Sequence, residues 1–204
     1  MPRAGMGRTS DAKDKLLEAA WELLWAGSYG GTSVDQICAR ADVRKGSFYH
    51  FFASKEELAK AALDHAWEEH LTEMDHIFSP KHKPLDRLRK VCAYIVTEQK
   101  ERHARYGRVL GCPVHSLGSE VSAGALDLQV KIHEAIGKHQ LYFESALRDA
   151  AAAGDTPAKP DPATRARMMG AFVEGLLLQA RILNDLKVLD DLAAGVLLIA
   201  KAGA

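Results

Sequence analysis

Apolar residues recur three and four positions apart along almost the whole chain. Leu16, Ala20 and Leu23 show this spacing near the N-terminus, and Val196 and Ile199 show it near the C-terminus. Such spacing places side chains on one face of an α-helix, whereas the alternating pattern of a half-buried strand is absent. Glycine and proline interrupt the pattern at intervals that suit helices of roughly ten to thirty residues. The sequence therefore predicts an all-α protein.

Two short helices are predicted in the region 33–51. Ser33 followed three residues later by Gln36 is a capping-box signature, because each side chain can bond the backbone N–H of the other residue. The first short helix should start there and end near Ala41. A turn at 42–43 leads into the second helix, predicted from about 44 to 51. Two short helices joined by a tight turn are typical of a helix-turn-helix.

The rest of the pattern predicts longer helices between glycine- and proline-containing segments. Ser54 and Glu57 form a second capping box, and Asp161 followed by Pro162 gives a capping aspartate with proline in the first turn. The stretch 107–118 is predicted as an interruption. The longer helices are predicted from about Ser10 to Ala26, from Ser54 to Ile77, from Leu85 beyond Ile95, between Ser122 and Ala153, from Asp161 to Leu183 and from Leu189 to Ile199.

Net charge gives no overall attraction for nucleic acid, because 27 basic residues balance 27 acidic ones. A local basic patch is nevertheless present, where Arg40, Arg44, Lys45 and Lys55 oppose the single acid Asp42. The sequence shows no signal-peptide pattern and no run of about eighteen apolar residues, so we expect a cytoplasmic protein without membrane contact. Any contact with nucleic acid must come from the local patch.

Cysteine and histidine spacing does not support a metal site or a bound cofactor. The three cysteines are scattered and form no Cys-x-x-Cys pair, which indicates reduced thiols rather than disulfides. His65 and His70 are five positions apart, and His133 and His139 are six apart. Two metal ligands on one helix are better placed three or four apart. We therefore predict neither metal nor cofactor.

The segment 31–58, GTSVDQICARADVRKGSFYHFFASKEEL, resembles the DNA-binding signature of the TetR family of bacterial repressors. The shared features are the Thr-Ser helix start, Lys-Gly-Ser in the second short helix, the Phe-Tyr-x-Phe cluster and Ser-Lys-Glu-x-Leu after it. The resemblance implies an N-terminal three-helix helix-turn-helix domain followed by a larger helical ligand-binding and dimerisation domain. We expect a flexible basic arm over 1–8, the DNA-binding domain over 9–69 with its helix-turn-helix at about 32–51, and the larger domain over 70–204.

The second short helix supplies the residues expected to read DNA. A helix whose N-terminus faces the major groove presents its first side chains to base edges, where arginine or lysine can donate to guanine. We therefore predict base contacts by Arg44 and Lys45, with Gly46 allowing the helix backbone to approach the duplex. The resemblance adds contacts to the sugar-phosphate backbone by Thr32, Ser33, Ser47, Tyr49, His50 and Lys55, and a minor-groove contact by Arg3 or Arg8.

Two residues depart from the family pattern. Asp42 stands where glycine is usual in the turn, and aspartate enters left-handed conformations more readily than most residues. Arg44 stands where a serine often caps the second short helix, which exchanges a cap of about 1 kcal/mol for a potential base contact. The operator sequence of relatives therefore does not transfer to this chain.

The resemblance also implies that the last two long helices pair with those of a second subunit. Residues 168–183 are apolar on most sides, and Gly170, Gly175 and Gly195 would let helices approach closely. Burial inside a monomer explains the same pattern, and the family resemblance favours a homodimer. The expected partners are operator DNA, an unidentified small-molecule inducer and a second copy of the chain.

The larger domain offers aromatic and polar side chains that could line an inducer site. Its segment Gly111-Cys112-Pro113 resembles a Gly-Cys segment of one family subgroup, some of whose members are thought to respond to electrophiles. A nearby His115 could lower the pKa of the Cys112 thiol and make it reactive, whereas a packed Cys112 would behave as a small hydrophobic residue. The candidate ligand-binding residues are Tyr94, His103, Tyr106, Cys112, His115, His133, Phe143, Glu174 and Gln179.

The predicted function is a ligand-responsive transcriptional regulator, a repressor that a small-molecule inducer releases from a palindromic operator. Two alternatives belong to other classes: a small helical thiol-dependent enzyme using Cys112 and His115, and a helical adaptor for protein partners. The enzyme would need a third orienting residue, a phosphate loop or a metal motif, and none accompanies the pair, so we predict no enzymatic activity. An adaptor would tolerate Lys45→Ala and Tyr49→Ala, whereas a repressor would not.

Overall fold

The computed structural model describes residues 6–121 and 125–203 and confirms an all-α protein. Within these ranges it contains nine α-helices, one 3₁₀-helix over Leu186–Asp191 and no β-strand. Across the same ranges, no helix has the length and apolarity that a bilayer crossing requires. The α-helices are α1 (Met6–Ala26), α2 (Val34–Ala41), α3 (Lys45–Phe51), α4 (Lys55–Ile77), α5 (Pro84–Tyr106), α6 (Pro113–Glu120), α7 (Leu126–Ala152), α8 (Pro162–Leu183) and α9 (Leu192–Lys201).

The N-terminal helix is longer than its sequence pattern predicts. Helix α1 begins at Met6 rather than near Ser10, so residues 6–8 of the predicted arm are helical, Arg8 among them. Arg3, the other predicted minor-groove contact, lies outside the described residues. The flexible arm therefore stays a prediction for residues 1–5.

Helix α6 lies in the stretch where the sequence predicted only an interruption. Pro113 occupies its first position, where a missing backbone N–H is tolerated. Gly118 lies in its interior, and a Cβ there would come within 3.1 Å of Ile132 Cγ2. This glycine is thus explained by close packing of α6 against α7 rather than by a chain break. The predicted start of the next helix, at Ser122, falls outside the described residues, and α7 begins at Leu126.

The predicted helix caps are observed at both ends of the chain. Ser33 caps α2 with a complete capping box, and Asp161 caps α8, where its side chain accepts from the Thr164 N–H at 3.0 Å. Ser54 accepts from the Glu57 N–H at 3.1 Å ahead of α4, but the predicted capping box is not complete, because the Glu57 carboxylate accepts from the Ala53 N–H at 2.7 Å instead of the Ser54 N–H. These side chains satisfy N–H groups that have no partner inside the helix.

The chain divides into two compact units, each with its own core. The first contains residues 6–69 and 113–132 of the described chain, and the second contains 70–112 and 133–203. The first core is formed by α1 to α4 and includes the fully buried Leu16, Ile37, Phe48 and Leu58. The second core is larger and includes Met74, Leu88, Leu147, Met169 and Leu192. The predicted boundary after residue 69 stays a prediction.

The glycines predicted to allow close helix approach differ in what they face. A Cβ on Gly195 would lie 2.1 Å from Phe172 Cζ, so glycine at this position lets α9 pack on α8 within the chain. A Cβ on Gly170 would lie 3.9 Å from Gln140 Cγ, and one on Gly175 would meet no atom within 4 Å. The closest approach among the three is therefore explained by intrachain packing.

Candidate nucleic-acid interface

Helices α2 and α3 are held by short-range backbone and capping bonds. The Ser33 N–H donates to Gln36 Oε1 at 2.8 Å, and the Gln36 N–H donates to Ser33 Oγ at 3.2 Å. Asp42 ends α2 in the left-handed conformation, with φ 53° and ψ 44°, as its place in the turn predicted. The Val43 N–H then donates to Cys38 O at 3.0 Å, which turns the chain into α3. This arrangement is a helix-turn-helix.

Helix α3 is anchored in the core by one aromatic side chain, and most of its other residues are exposed. Phe48 is fully buried and packs edge-to-face against Tyr49 at 5.0 Å between ring centroids, while Tyr49 itself is 55% exposed. A Cβ on Gly46 would meet no atom within 4 Å, so the protein's own packing does not require glycine there. The exposed predicted contacts are Ser33, Arg44, Lys45, Gly46, Tyr49 and His50.

Acidic side chains of the first unit pair with two of the basic residues near α3. Lys45 Nζ lies 2.7 Å from Asp35 Oδ1, and Arg40 Nη2 lies 2.6 Å from Glu22 Oε2. The bond to Asp35 raises the pKa of Lys45, so its ammonium is retained. Arg44 at the N-cap of α3 makes no side-chain capping bond, as its replacement of serine predicted. Arg44 itself is exposed.

Two of the predicted backbone contacts hold the turn before α2. Thr32 is buried, and its hydroxyl donates to Ser28 O at 2.7 Å. Lys55 Nζ donates to Tyr29 O at 2.7 Å and to Thr32 O at 3.0 Å, and it lies 4.4 Å from the centroid of the Tyr29 ring. These bonds use two of the three ammonium donors of Lys55. Ser47, a third predicted backbone contact, is half-buried in α3.

In the second unit, the segment before α6 is clamped by a buried glutamine. Gln99 on α5 is almost completely buried, and its side-chain amide is hydrogen bonded to both the backbone N–H and the backbone C=O of Gly111. The Gly111 N–H donates to Gln99 Oε1 at 2.9 Å, and Gln99 Nε2 donates to Gly111 O at 3.2 Å. Gly111 has φ +70°, which favours glycine, and a Cβ there would lie 3.3 Å from Leu177 O on α8. The clamp thus fixes Cys112, the next residue.

The same segment is bonded to the end of α8. The Val109 N–H donates to Asn184 Oδ1 at 2.9 Å, and Arg181 Nη1 donates to Leu110 O at 3.1 Å. Sequence reasoning did not identify Gln99, Arg181 or Asn184 as functional. A polar Gln99 within the apolar pattern of its helix was the available signal, because a buried amide normally has a specific partner.

Cys112 and Glu174 are the predicted ligand-binding residues that the second unit brings into contact. Their side chains are hydrogen bonded, with the thiol donating to the carboxyl group, and both are half-buried. Burial raises the pKa of Glu174 from 4.5 to about 7, and the bond from Cys112 opposes that rise. A carboxyl group with this pKa changes charge near neutral pH, which is typical of functional sites.

The other predicted ligand-binding residues lie on several helices and differ in exposure. Phe143 belongs to the second core, His133 and Gln179 are exposed, and His115 lies in the first unit, near the start of α6. A surface groove of about 460 Å³ between α7 and α8 includes none of the nine predicted residues. Tyr94, His103 and Tyr106 are half-buried along α5. The groove is lined by Glu134, Gly137, Lys138, Gln140, Leu141, Glu144, Ala163, Ala166 and Arg167.

Comparison with known proteins agrees with this arrangement over most of the chain. Residues 16–62 match the family model of bacterial regulatory proteins of the tetR family, and residues 84–196 match that of the tetracyclin repressor-like C-terminal domain. The second match alone covers more than half of the chain. The first includes α2, α3 and the turn between them.

Individual relatives are similar over nearly their full length. The transcriptional regulator AcuR of Cereibacter sphaeroides is 31% identical over 187 residues, which cover 89% of this chain and 83% of the relative. The transcriptional repressor NemR of Escherichia coli K12 is 25% identical over 189 residues, which cover 91% of this chain and 92% of the relative. The crystal structure of regulatory protein TetR from Rhodobacter sphaeroides has 29% identity and a TM-score of 0.79, and the match covers 91% of this chain and 96% of that structure. These matches, together with the helix-turn-helix, show that the chain belongs to the TetR family of DNA-binding transcriptional regulators, which are not enzymes.

Proposed function

We propose that this regulator is a repressor whose homodimer binds a palindromic operator and is released by a small-molecule inducer. The observation that carries the proposal is the exposed start of α3, where Arg44, Lys45 and Gly46 face outward while Phe48 anchors the helix in the core. A protein that binds an operator acts on the bacterial chromosome, and its location is therefore the cytoplasm.

Each residue of the exposed surface has a distinct proposed contact. Arg44 and Lys45 donate to base edges in the major groove, and Gly46 allows α3 to approach the duplex. Tyr49 and His50, one turn further along, contact the phosphate backbone, as does the Ser33 hydroxyl at the start of α2. Ser47 and the third donor of Lys55 add phosphate contacts, and Thr32 contributes by shaping the turn.

The dimer forms through α8 and α9. Met168, Leu178 and Ile182 are between 48% and 71% exposed and recur along α8 at spacings that place them on one face. Leu198 on α9 is 74% exposed. Large apolar side chains exposed together along paired helices are typical of subunit interfaces. A dimer would place two copies of α3 in successive major grooves, about one helical turn apart.

The inducer is sensed around Cys112 and Glu174. Gln99 fixes the segment that carries Cys112, and the segment is bonded to Arg181 and Asn184 near the end of α8. A ligand that alters this clamp would therefore bear on a helix of the proposed dimer surface. Coupling between two sites in allosteric proteins is typically about 1–3 kcal/mol, or roughly 5- to 150-fold in operator affinity.

Cys112 has two proposed roles at this site. It packs partly against the second core, as a small hydrophobic residue would, and it also bonds a carboxyl group that titrates near neutral pH. A reactive sensor would be modified covalently by an inducer, whereas a packing thiol would only shape the site. Operator release that persists in Cys112→Ser with the same inducer favours the packing role.

The experiment that tests operator binding is an unbiased selection of random duplexes by the purified protein. Lys45→Ala is compared with Lys100→Ala, a matched substitution at an exposed lysine of the second unit. We expect the wild type and Lys100→Ala to enrich the same palindrome and Lys45→Ala to lose it. If neither the wild type nor Lys100→Ala enriches any sequence at low salt, the operator proposal is wrong, and a protein-binding adaptor becomes the better interpretation.

A further inference from the structure

Two histidines that are 69 positions apart in the sequence meet in the second unit. His70 lies on α4 and His139 lies on α7, and their Nε2 atoms are 2.7 Å apart. The ring centroids are separated by 4.9 Å, with the ring planes inclined at 69°. Two ring nitrogens can face each other at this distance only if one of them carries a proton and the other presents its lone pair.

A third helix contributes to the same cluster. The Tyr94 hydroxyl on α5 lies 3.4 Å from Nδ1 of His70, on the opposite side of the ring from His139. The tautomer of His70 with its proton on Nδ1 can donate to this hydroxyl, which leaves the lone pair of Nε2 directed at His139. Metal-binding histidines are commonly oriented in this way by a partner of the other ring nitrogen.

Two carboxylates favour a cation close to His70. Glu98 and Glu73 act electrostatically on its imidazole. Their negative potential favours a cation nearby.

The separation of the two nitrogens allows both to bind one ion in adjacent positions. Nitrogen ligands lie about 2.0–2.1 Å from a first-row metal ion, so two ligands at a right angle are about 2.9 Å apart. The two Nε2 atoms, 2.7 Å apart, need only a small adjustment to reach that separation. Imidazole is a ligand that suits Ni²⁺ and Cu²⁺.

We propose that Nε2 of His70 and Nε2 of His139 bind one divalent metal ion, Ni²⁺ or Cu²⁺, in adjacent coordination positions. The proton that His139 carries on Nε2 in the free protein moves to its Nδ1, so both rings stay neutral and each presents a lone pair to the ion. Water occupies the other coordination positions, and Tyr94 orients His70 without binding the ion. The spacing rule for ligands on one helix does not find this pair, because the two residues come from different helices.

The test is equilibrium dialysis of tag-free, chelator-treated protein against Ni²⁺ at neutral pH. Ni²⁺ is the probe because Cu²⁺ oxidises thiols and the chain has three cysteines. His70→Gln and His139→Gln are compared with His65→Gln, a matched change at a half-buried histidine of α4. Circular dichroism of each variant confirms the helical fold, and X-ray absorption at the nickel edge counts the imidazole ligands.

We expect one Ni²⁺ per chain in the wild type and in His65→Gln, with two imidazoles at about 2.1 Å. Affinity should fall roughly tenfold or more in His70→Gln and also in His139→Gln. If His70→Gln loses its helical fold, the His139→Gln result and the ligand count decide. The proposal is wrong if the wild type retains no ion, if His139→Gln binds Ni²⁺ as tightly as the wild type, or if the absorption spectrum shows fewer than two imidazoles.

Discussion

The helix-turn-helix of α2 and α3 and the segment that ends at Cys112 are held by hydrogen bonds that span very different distances along the sequence. In the first, Ser33 and Gln36 bond each other across three positions, and Val43 bonds Cys38 across five. In the second, Gln99 bonds Gly111 across 12 positions, and Val109 bonds Asn184 across 75. Bonds of short range are encoded in a local motif, whereas bonds of long range depend on how helices pack.

The two regions also differ in what they expose. Around α3, charged and aromatic side chains face solvent. Around Cys112, the polar groups are half or fully buried and bonded to each other. Substitutions in the first region should therefore act mainly on binding, and substitutions in the second should act on stability and on its pH dependence.

The largest expected effect on stability is at the long-range clamp. Gln99→Ala removes both bonds to Gly111 and leaves a buried N–H and C=O without that partner, so we expect a loss of about 2–4 kcal/mol in the free energy of unfolding. Urea denaturation at fixed protein concentration measures it. Gln179→Ala, the same change at an exposed position of α8, should cost less than about 0.5 kcal/mol. Equal losses in the two variants would show that the Gln99 bonds add no more to the free energy of unfolding than the exposed Gln179 does.

The next effect is the pH dependence introduced by Glu174. Its pKa is about 7 in the folded chain against 4.5 for the free group, so between these values the folded state binds more protons than the unfolded state. Stability therefore falls as pH rises through this window, by about 1–3 kcal/mol. Glu174→Gln should remove that fall and be more stable than the wild type at pH 8. Denaturation curves from about pH 5 to 8 measure the difference.

A matched variant isolates this effect from other titrations. Glu134→Gln changes an exposed carboxyl group of α7 in the same unit. Its pH profile should follow that of the wild type. A Glu174→Gln profile that also follows the wild type would mean that the Glu174 carboxyl does not titrate near neutral pH.

These two regions explain which parts of the structure could be predicted from the sequence. The caps at Ser33 and Asp161 and the left-handed turn at Asp42 follow from residue types within a few positions, and each is observed. Helix α6 was missed because Gly118 and Pro113 normally interrupt helices, and only the packing of Ile132 against Gly118 explains the glycine. The pairing of Cys112 with Glu174 could not be predicted, because it depends on how the segment 107–112 lies against α8.

A smaller effect is expected at the cap of the first region. Ser33→Ala removes the side-chain acceptor of the Gln36 N–H, so we expect a loss of about 1 kcal/mol, less than at Gln99. Ser33→Thr retains the hydroxyl and should recover most of the loss. Thermal and urea denaturation measure both variants. If Ser33→Ala destabilised the chain as much as Gln99→Ala, the sequence range of the hydrogen bonds would not account for the stability difference expected between the two regions.

The smallest expected effect concerns competition for Lys45 at the exposed surface. In the free protein its ammonium is bonded to Asp35, and in the proposed complex this carboxylate competes with DNA for Lys45. Asp35→Asn removes the competitor, so operator affinity should rise roughly two- to threefold at low salt and less at high salt, because exposed ion pairs are weak and screened. Fluorescence anisotropy on the selected operator measures the change.

Asp42→Asn distinguishes competition from a general loss of negative charge near the phosphates. It also removes one carboxylate next to α3, and asparagine tolerates the left-handed conformation of Asp42. If Asp35→Asn acts by freeing Lys45, its effect should exceed that of Asp42→Asn and disappear in a Lys45→Ala background. Equal gains from the two variants, persisting without Lys45, would instead assign the effect to the electrostatic field of the surface.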